Sequence, residues 1–156
     1  MEGVLNAMVA VVILDSSFLY VPLQFKVDIY EAIPRLLEQA TELVLLSGVK
    51  DEIVEKNKRS IGKLVSKQGV GVLQLVSMKI DQGHVSFVKI DRRPDEQVDD
   101  YIIRVARRIK DAGKLDDGKP VSRIAVATND KGLKKKCKAD GFEVVHLRQK
   151  RFVAFL

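Results

Sequence analysis

The chain has no tryptophan, two histidines and one cysteine among its 156 residues. The lone thiol, Cys137, cannot form an internal disulfide, and its lysine-rich surroundings suit a reducing compartment. With so little cysteine and histidine, the usual ligand set of a zinc site is missing too. No apolar run approaches the ~20 residues that span a bilayer. The N-terminal stretch MEGVLNAMVAVVIL is apolar, but it opens with Glu2, lacks a basic leader and ends on a charge. It therefore reads as a core strand and not as a signal peptide. Together these absences set the expectation of a soluble, cytoplasmic protein with no membrane segment. A Walker A loop is absent, and no G-x-G-x-x-G follows the first strand, which speaks against nucleotide binding through those motifs. No serine or cysteine has a histidine nearby in sequence to act as its base. His84 falls in a turn and His146 in a strand, and both read as structural or surface residues.

What is present describes a single globular domain over residues 1–156. Hydrophobic residues make up 46% and charged residues 31% of the chain, neither disordered nor membrane-like. A chain of this length buries about 70% of its unfolded surface without staples. The net charge of +6 is concentrated. Between Lys131 and Arg151 lie eight basic residues (Lys131, Lys134, Lys135, Lys136, Lys138, Arg148, Lys150, Arg151) against Asp140 and Glu143, so this segment carries the whole excess. A basic block of this kind suits a polyanion such as nucleic acid.

Strand and helix signals alternate from end to end, the mark of an α/β fold with a mostly parallel sheet. Residues 8–14 are an unbroken apolar run of the buried parallel kind. Helical spacing follows over 28–40, with Pro34 inside it, then a short strand over 43–46 (LVLL). Residues 50–67 read as a weak helix with Ile53, Ile61, Leu64 and Val65 facing inward, and 69–80 as helix in preference to strand. A turn at 82–84 leads to a strand over 85–90. Pro94 suits the first turn of the next helix, with Asp95 and Glu96 complementing its dipole. A glycine-marked loop around 113–120 precedes a strand at 123–128, a helix over about 131–139 and a strand at 142–147. FVAF (152–155) reads as a final edge strand.

Two strands of this pattern end on carboxylates. VVIL runs into Asp15, and IAVAT, followed by Asn129, runs into Asp130. In a parallel sheet both acids arrive at the same edge. A third comes from the helix after Pro94, whose apolar stripe is Val98, Ile102, Val105, Ala106 and Ile109 at about 100° per residue. On that wheel Asp99 lies at the margin of the buried face. Asp100 points away, towards Arg104 and Arg107 as its i+4 and i+7 neighbours. Glu52, early in the helix after the second strand, is a plausible fourth. Carboxylates without a cysteine cluster or histidine pair are hard oxygen ligands and fit Mg²⁺ or Mn²⁺. Such a site beside a basic surface suggests phosphodiester hydrolysis, with metal-activated water and a stabilised leaving oxygen. Ser16, Ser17 and Thr128 place hydroxyls next to the strand-end acids, where they can orient a carboxylate or cap the following turn.

These residues carry a family resemblance. ILDSSFL at 13–19, DDYIIRVA at 99–106 and VATNDKGL at 126–133 resemble, in order and spacing, the three acidic motifs of PIN-domain endoribonucleases, and the resemblance covers essentially the whole chain. It implies a three-layer α/β/α sandwich around a central, mostly parallel sheet, and Mg²⁺- or Mn²⁺-dependent cleavage of RNA. Position by position, it puts the metal acids on Asp15, Asp99 and Asp130 and the second-motif glutamate, in SGVKDEI, on Glu52 with Asp51 as its rival. Ser17 and Thr128 match its supporting polar positions. VPLQFKVDIYEAI at 21–33 and LRQKRFVAF at 147–155 look most like archaeal relatives of the PIN nuclease of small-subunit ribosomal RNA processing. On this reading Lys131, Lys134, Lys135, Arg148 and Arg151 contact the RNA backbone. Three alternatives stand beside it. One is a toxin-type PIN ribonuclease and another a non-cleaving RNA-binding scaffold. The third is a phospho-acceptor signalling domain, which would need an acidic pair at the first strand that this chain lacks. Apolar positions on the early helices are compatible with a homodimer.

Overall fold

Apolar residues that leave no polar face have to be covered on both sides, and the first strand shows this at once. In a computed structural model, which describes residues 7–60 and 64–156, β1 spans Val9–Leu14 and Ala10 to Leu14 are fully buried. Two short helices follow, α1 at Ser16–Leu19 and α2 at Val21–Phe25. Next comes α3 at Ile29–Leu37, where Asp28 caps the N-terminus by accepting from the amides of Tyr30 and Glu31. The strand β2 is Thr41–Leu46. Helices α4 (Ser47–Arg59) and α5 (Leu64–Asp81) lead to β3 at Val85–Val88. Then come α6 at Val98–Ala112, β4 at Val121–Ala127 and α7 at Lys131–Ala139. The chain closes with β5 at Glu143–Arg148 and β6 at Phe152–Phe155.

The six strands form one sheet in the order β3-β2-β1-β4-β5-β6. β1 to β5 pair in parallel, and β6 runs antiparallel to β5. Connections leave β1 leftward through β2 and resume rightward from β4. Right-handed crossovers therefore put α3, α4 and α5 on one face and α6 and α7 on the other, which makes an α/β/α sandwich. The reversal lies between β1 and β4, the place where an open α/β sheet forms a crevice at its carboxyl edge. Asp15 and Asp130 follow these two strands, so the topology itself brings them to that crevice. Among the described residues no helix is long and apolar enough to cross a membrane.

Several sequence expectations need correction. The single helix expected over 50–67 is two helices, one starting at Ser47 and ending at Arg59, the other running from Leu64 through the stretch at 69–80. Ile53 is buried as expected; Ile61 and the side chains of Leu64 and Val65 lie outside the described residues, as does Glu2. Pro94 is not in the first turn of α6. It sits in a preceding turn where Asp95 has a left-handed backbone (φ 61°), and the helix starts only after Gln97. Glu96 does not serve the helix dipole. It accepts from the Arg104 guanidinium at 2.8 and 2.9 Å and from the Arg93 amide at 2.9 Å, so it pins the loop to the flank of α6. Asp99 and Asp100 are the acids of the first turn.

Candidate active site

Asp15 takes the N-cap position of α1 without capping it. Its amide still bonds to the Ala127 carbonyl at 3.0 Å, extending the β1–β4 ladder by one residue. The residue is 5% exposed, and its Oδ2 accepts from Ser17 Oγ at 2.8 Å and Thr128 Oγ1 at 2.7 Å. A hydroxyl has one proton to give, so both protons are committed to Asp15. The 3.3 Å approach between the two hydroxyls is then a consequence of their shared acceptor. Each hydroxyl accepts in turn from a backbone amide, Ser17 from Asn129 at 3.1 Å and Thr128 from Asp130 at 3.0 Å. The TND segment is thereby lashed to the end of β1. Asn129 Oδ1 completes the tie by accepting from the Leu147 amide of β5 at 2.9 Å.

Asp130 caps α7, its Oδ2 accepting from the Leu133 amide at 2.8 Å, so the carboxylate sits on the positive end of that helix. Asp99 reaches the same region from the first turn of α6, which packs against both α4 and α7. Burial raises its carboxyl above the ordinary aspartate value, and the negative charges of Asp130, Asp15 and Glu52 add to the rise, partly offset by Lys136. The four expected acids therefore share one electrostatic neighbourhood. Asp51 is exposed, whereas Glu52 lines a cleft of about 460 Å³ with Asp99. Glu52 Oε1 is buried with no hydrogen-bond partner among the described residues.

A second node sets the spacing of Glu52 and Asp99. The Tyr101 hydroxyl donates to the Ile90 carbonyl at 2.6 Å and accepts from the Gly48 amide at 3.0 Å. Ser47 Oγ donates to the same carbonyl at 3.0 Å and accepts from the Ile90 amide at 3.1 Å. The start of α4, the end of the β3 segment and α6 are joined there. Gly48 permits the approach, since a Cβ at that position would lie 2.6 Å from the Tyr101 ring. Glu52 stands one turn beyond Gly48, and Asp99 two residues before Tyr101.

The cations are placed less uniformly than their sequence order suggests. Lys131, Lys135, Arg148 and Arg151 are exposed and Lys134 is half-buried. The Nζ of Lys134 lies 3.4 Å from His146 Nδ1. Burial lowers the His146 pKa, and Lys134 and Arg148 lower it further. Asp100 is exposed as expected, but neither Arg104 nor Arg107 pairs with it. Glu96 holds Arg104, Asp140 holds Arg107, and Asp100 accepts instead from Lys136 Nζ at 3.0 Å.

Sequence reasoning passed over three residues at the site. Lys136 lines the Glu52–Asp99 cleft together with Arg59 and Arg92, and only its place one turn past Gly132 hinted at this. Gly132 is the second. A Cβ there would lie 3.2 Å from Asp130 Oδ2 and 3.8 Å from Asp99 Oδ2, so the two carboxylates flank the same point. Tyr101 is the third; its ring reads as core, and its hydroxyl gives no sign in sequence.

Among the described residues, no three His, Cys, Asp or Glu side chains are drawn together closely enough to hold an ion as they stand.

Comparison with known proteins bears on this arrangement. No curated protein matches the chain. Among solved structures, it is similar to one described as the PIN domain endonuclease Utp24, with 19% identity and a TM-score of 0.64 over 93% of this chain and 90% of that one. It is also similar to a domain of a functionally unknown protein from Methanocaldococcus jannaschii DSM 2661, with 16% identity and a TM-score of 0.57 over 89% and 91% of the two chains. At these identities the likeness speaks for the fold. The family model described as PIN-like domain matches residues 12–150, nearly the full length, and includes all four acids. The chain belongs to the PIN-like domain family.

Proposed function

We propose that the protein is a metal-dependent endoribonuclease that hydrolyses RNA phosphodiester bonds at the crevice between β1 and β4. The observation that carries this is that Asp99 lines one cleft with Glu52 and flanks one point with Asp130, at the sheet edge where Asp15 ends the β1–β4 ladder; burial and the neighbouring negative charges raise the Asp99 carboxyl accordingly. Like charges crowd in this way at sites that work with a cation. The donor set fits Mg²⁺ or Mn²⁺. It is all oxygen, it includes a buried Glu52 atom without a partner, and Mg²⁺ keeps several waters and needs only one or two carboxylates directly. When bound, such an ion activates water and neutralises charge on the phosphate.

The chain's own residues do the rest. Asp15 is held by two hydroxyls that fix its rotamer and leave Oδ1 without a partner among the described residues. Asp99, Asp130 and Glu52 complete the negative rim. Lys131, Lys134, Lys135, Arg148 and Arg151 hold the phosphates on either side of the scissile bond. The resemblance of residues 21–33 and 147–155 to the ribosomal-processing branch favours a ribosomal RNA precursor as substrate over a toxin's target.

The test is cleavage of a labelled single-stranded RNA with Mn²⁺, comparing the wild-type chain with Asp15→Asn. Cleavage is expected to fall by at least about 10²-fold, while binding in excess EDTA stays within a few-fold. Undiminished cleavage by Asp15→Asn, or by the wild-type chain in EDTA, refutes the mechanism. Binding by the wild-type chain with no cleavage in Mn²⁺ or Mg²⁺ would establish the scaffold reading instead.

A further inference from the structure

The turn joining β5 to β6 is closed by a bond from the Arg151 amide to the Arg148 carbonyl at 3.0 Å. Both of its central residues are left-handed, Gln149 at φ 54° and Lys150 at φ 56°. With Arg148 paired to Phe152 the connection is a three-residue loop, and two consecutive non-glycine residues in the left-handed region are uncommon. Backbone held in a sparsely populated region persists where the surroundings enforce it, and such residues gather at functional sites.

The residues this turn presents form a group. Phe152 is 53% exposed, unusual for a phenylalanine. The Arg151 guanidinium lies 5.4 Å from the centre of its ring. Arg148 is directly opposite Phe152 in the antiparallel register, so their side chains stand on the same face of the ribbon. Beside the ring opens a groove of about 390 Å³ against α3, with Val27, Leu36 and Val153 among its lining residues. On the α3 side of that groove Glu31 is ion-paired with Arg35 and Asp28 caps the helix, so among the described residues the unpaired cationic groups beside the ring are those of the hairpin.

The position is also apt. Because β5 runs parallel to β4, Arg148 and Phe152 lie at the same carboxyl edge as Asp15 and Asp130. Arg148 ends β5, one strand along from β4, and Phe152 opens β6, two strands along, roughly 5 and 10 Å at the usual strand spacing.

We propose that the β5–β6 hairpin tip is a base-stacking subsite, in which Phe152, flanked by Arg148 and Arg151, takes one unpaired base of a single-stranded RNA near the scissile phosphate. This rests on the reading that the chain binds RNA, and adds to it that the substrate is unpaired at this point. An exposed ring with arginines around it is the platform that single-strand binders use, because every base has a face to stack.

The experiment measures binding of a short fluorescein-labelled oligouridylate in excess EDTA, so that nothing is cut. Phe152→Ala and Phe152→Leu are each expected to weaken binding about 5- to 100-fold, while Phe152→Trp retains it. The chain has no tryptophan of its own, so emission from Phe152→Trp reports the site alone and should be quenched when RNA is added. An oligouridylate with one abasic ribose, moved along the strand, should at one position bind the wild-type chain as weakly as Phe152→Ala binds the intact strand. That position should cost Phe152→Ala nothing more. Wild-type affinity in a folded Phe152→Leu, or unquenched emission from Phe152→Trp with RNA bound, overturns the subsite and leaves the nuclease reading intact. No binding by the wild-type chain overturns both. A Phe152→Ala protein that does not fold leaves the leucine and tryptophan variants to decide.

Discussion

Replacing Gly132 with alanine separates what holds the fold from what arms the site. The added Cβ would lie 3.2 Å from Asp130 Oδ2 and 3.8 Å from Asp99 Oδ2. The first distance is too short for comfort, so the Asp130 carboxylate has to withdraw by a few tenths of an ångström. It cannot withdraw freely, because Oδ2 is held by the Leu133 amide at 2.8 Å. Loosening that cap costs about 1 kcal/mol. Alanine in place of glycine returns part of this, less than the roughly 1 kcal/mol of an interior position because Gly132 is in the first turn. The net loss is at most about 1 kcal/mol, so the melting temperature should fall by no more than about 2–4 °C. Catalysis has no such compensation. The methyl group occupies the point that the two carboxylates flank, and a misplacement approaching 1 Å costs up to about 10²-fold in rate. The expected result is Mn²⁺-dependent cleavage lowered about 10- to 100-fold and a higher Mn²⁺ concentration for half-maximal rate, with RNA affinity in EDTA unchanged. A folded Gly132→Ala with the wild-type rate and Mn²⁺ midpoint would refute the assignment of this point to the site.

Three further outcomes are expected. Burial and its acidic neighbours raise the Asp99 pKa, so the folded state favours the protonated form, and the stability this confers is lost as pH rises through the raised value. Without divalent metal, Asp99→Asn should therefore melt above the wild type at neutral pH, the gap closing on acidification, and should cleave far more slowly; a lower melting temperature at neutral pH would contradict this. The hydrogen bonds from Arg104 pull Glu96 down to about 2 from an ordinary 4.5, so its contribution is present above pH 4.5 and disappears as pH falls towards 2. Glu96→Gln should be less stable than the wild type in urea melts at pH 7 and indistinguishable near pH 2. Tyr101→Phe leaves the Gly48 amide without its acceptor, while Ser47 still serves the Ile90 carbonyl, so a loss of about 1–3 kcal/mol is expected by urea denaturation.

The acids were legible in the sequence because each is marked by a local pattern. Asp15 and Asp130 end apolar runs, and Asp99 sits at the margin of an amphipathic stripe. The strands β1 and β6 and the helix α7 were readable for the same reason, with hydrophobic spacing carrying the signal. What could not be read depends on contacts between distant elements. Asp100 was matched to Arg104 and Arg107, its own helical neighbours, but Glu96 in a preceding loop and Asp140 beyond the next helix claim those arginines. Lys136 and Arg92 enter the cleft through the packing of α6 between α4 and α7, which no window along the chain reveals. Pro94 misled because proline suits a turn as readily as a helix start, and the Glu96–Arg104 pair settles it as a turn.

The placement of β1 has a consequence for the cell that makes this protein. Its one neighbour, β2, follows within a few dozen residues, but the other is β4, with Val9 paired to Val121 and Leu14 to Ala127. A chain leaving the ribosome amino-terminus first exposes Asp15 and Glu52 long before Asp130 has been synthesised. The strand that brings Asp130 to them, β4, emerges only after α6. Under the proposed activity, the nascent enzyme is harmless to the RNA machine that is building it until β4 has emerged and paired with β1.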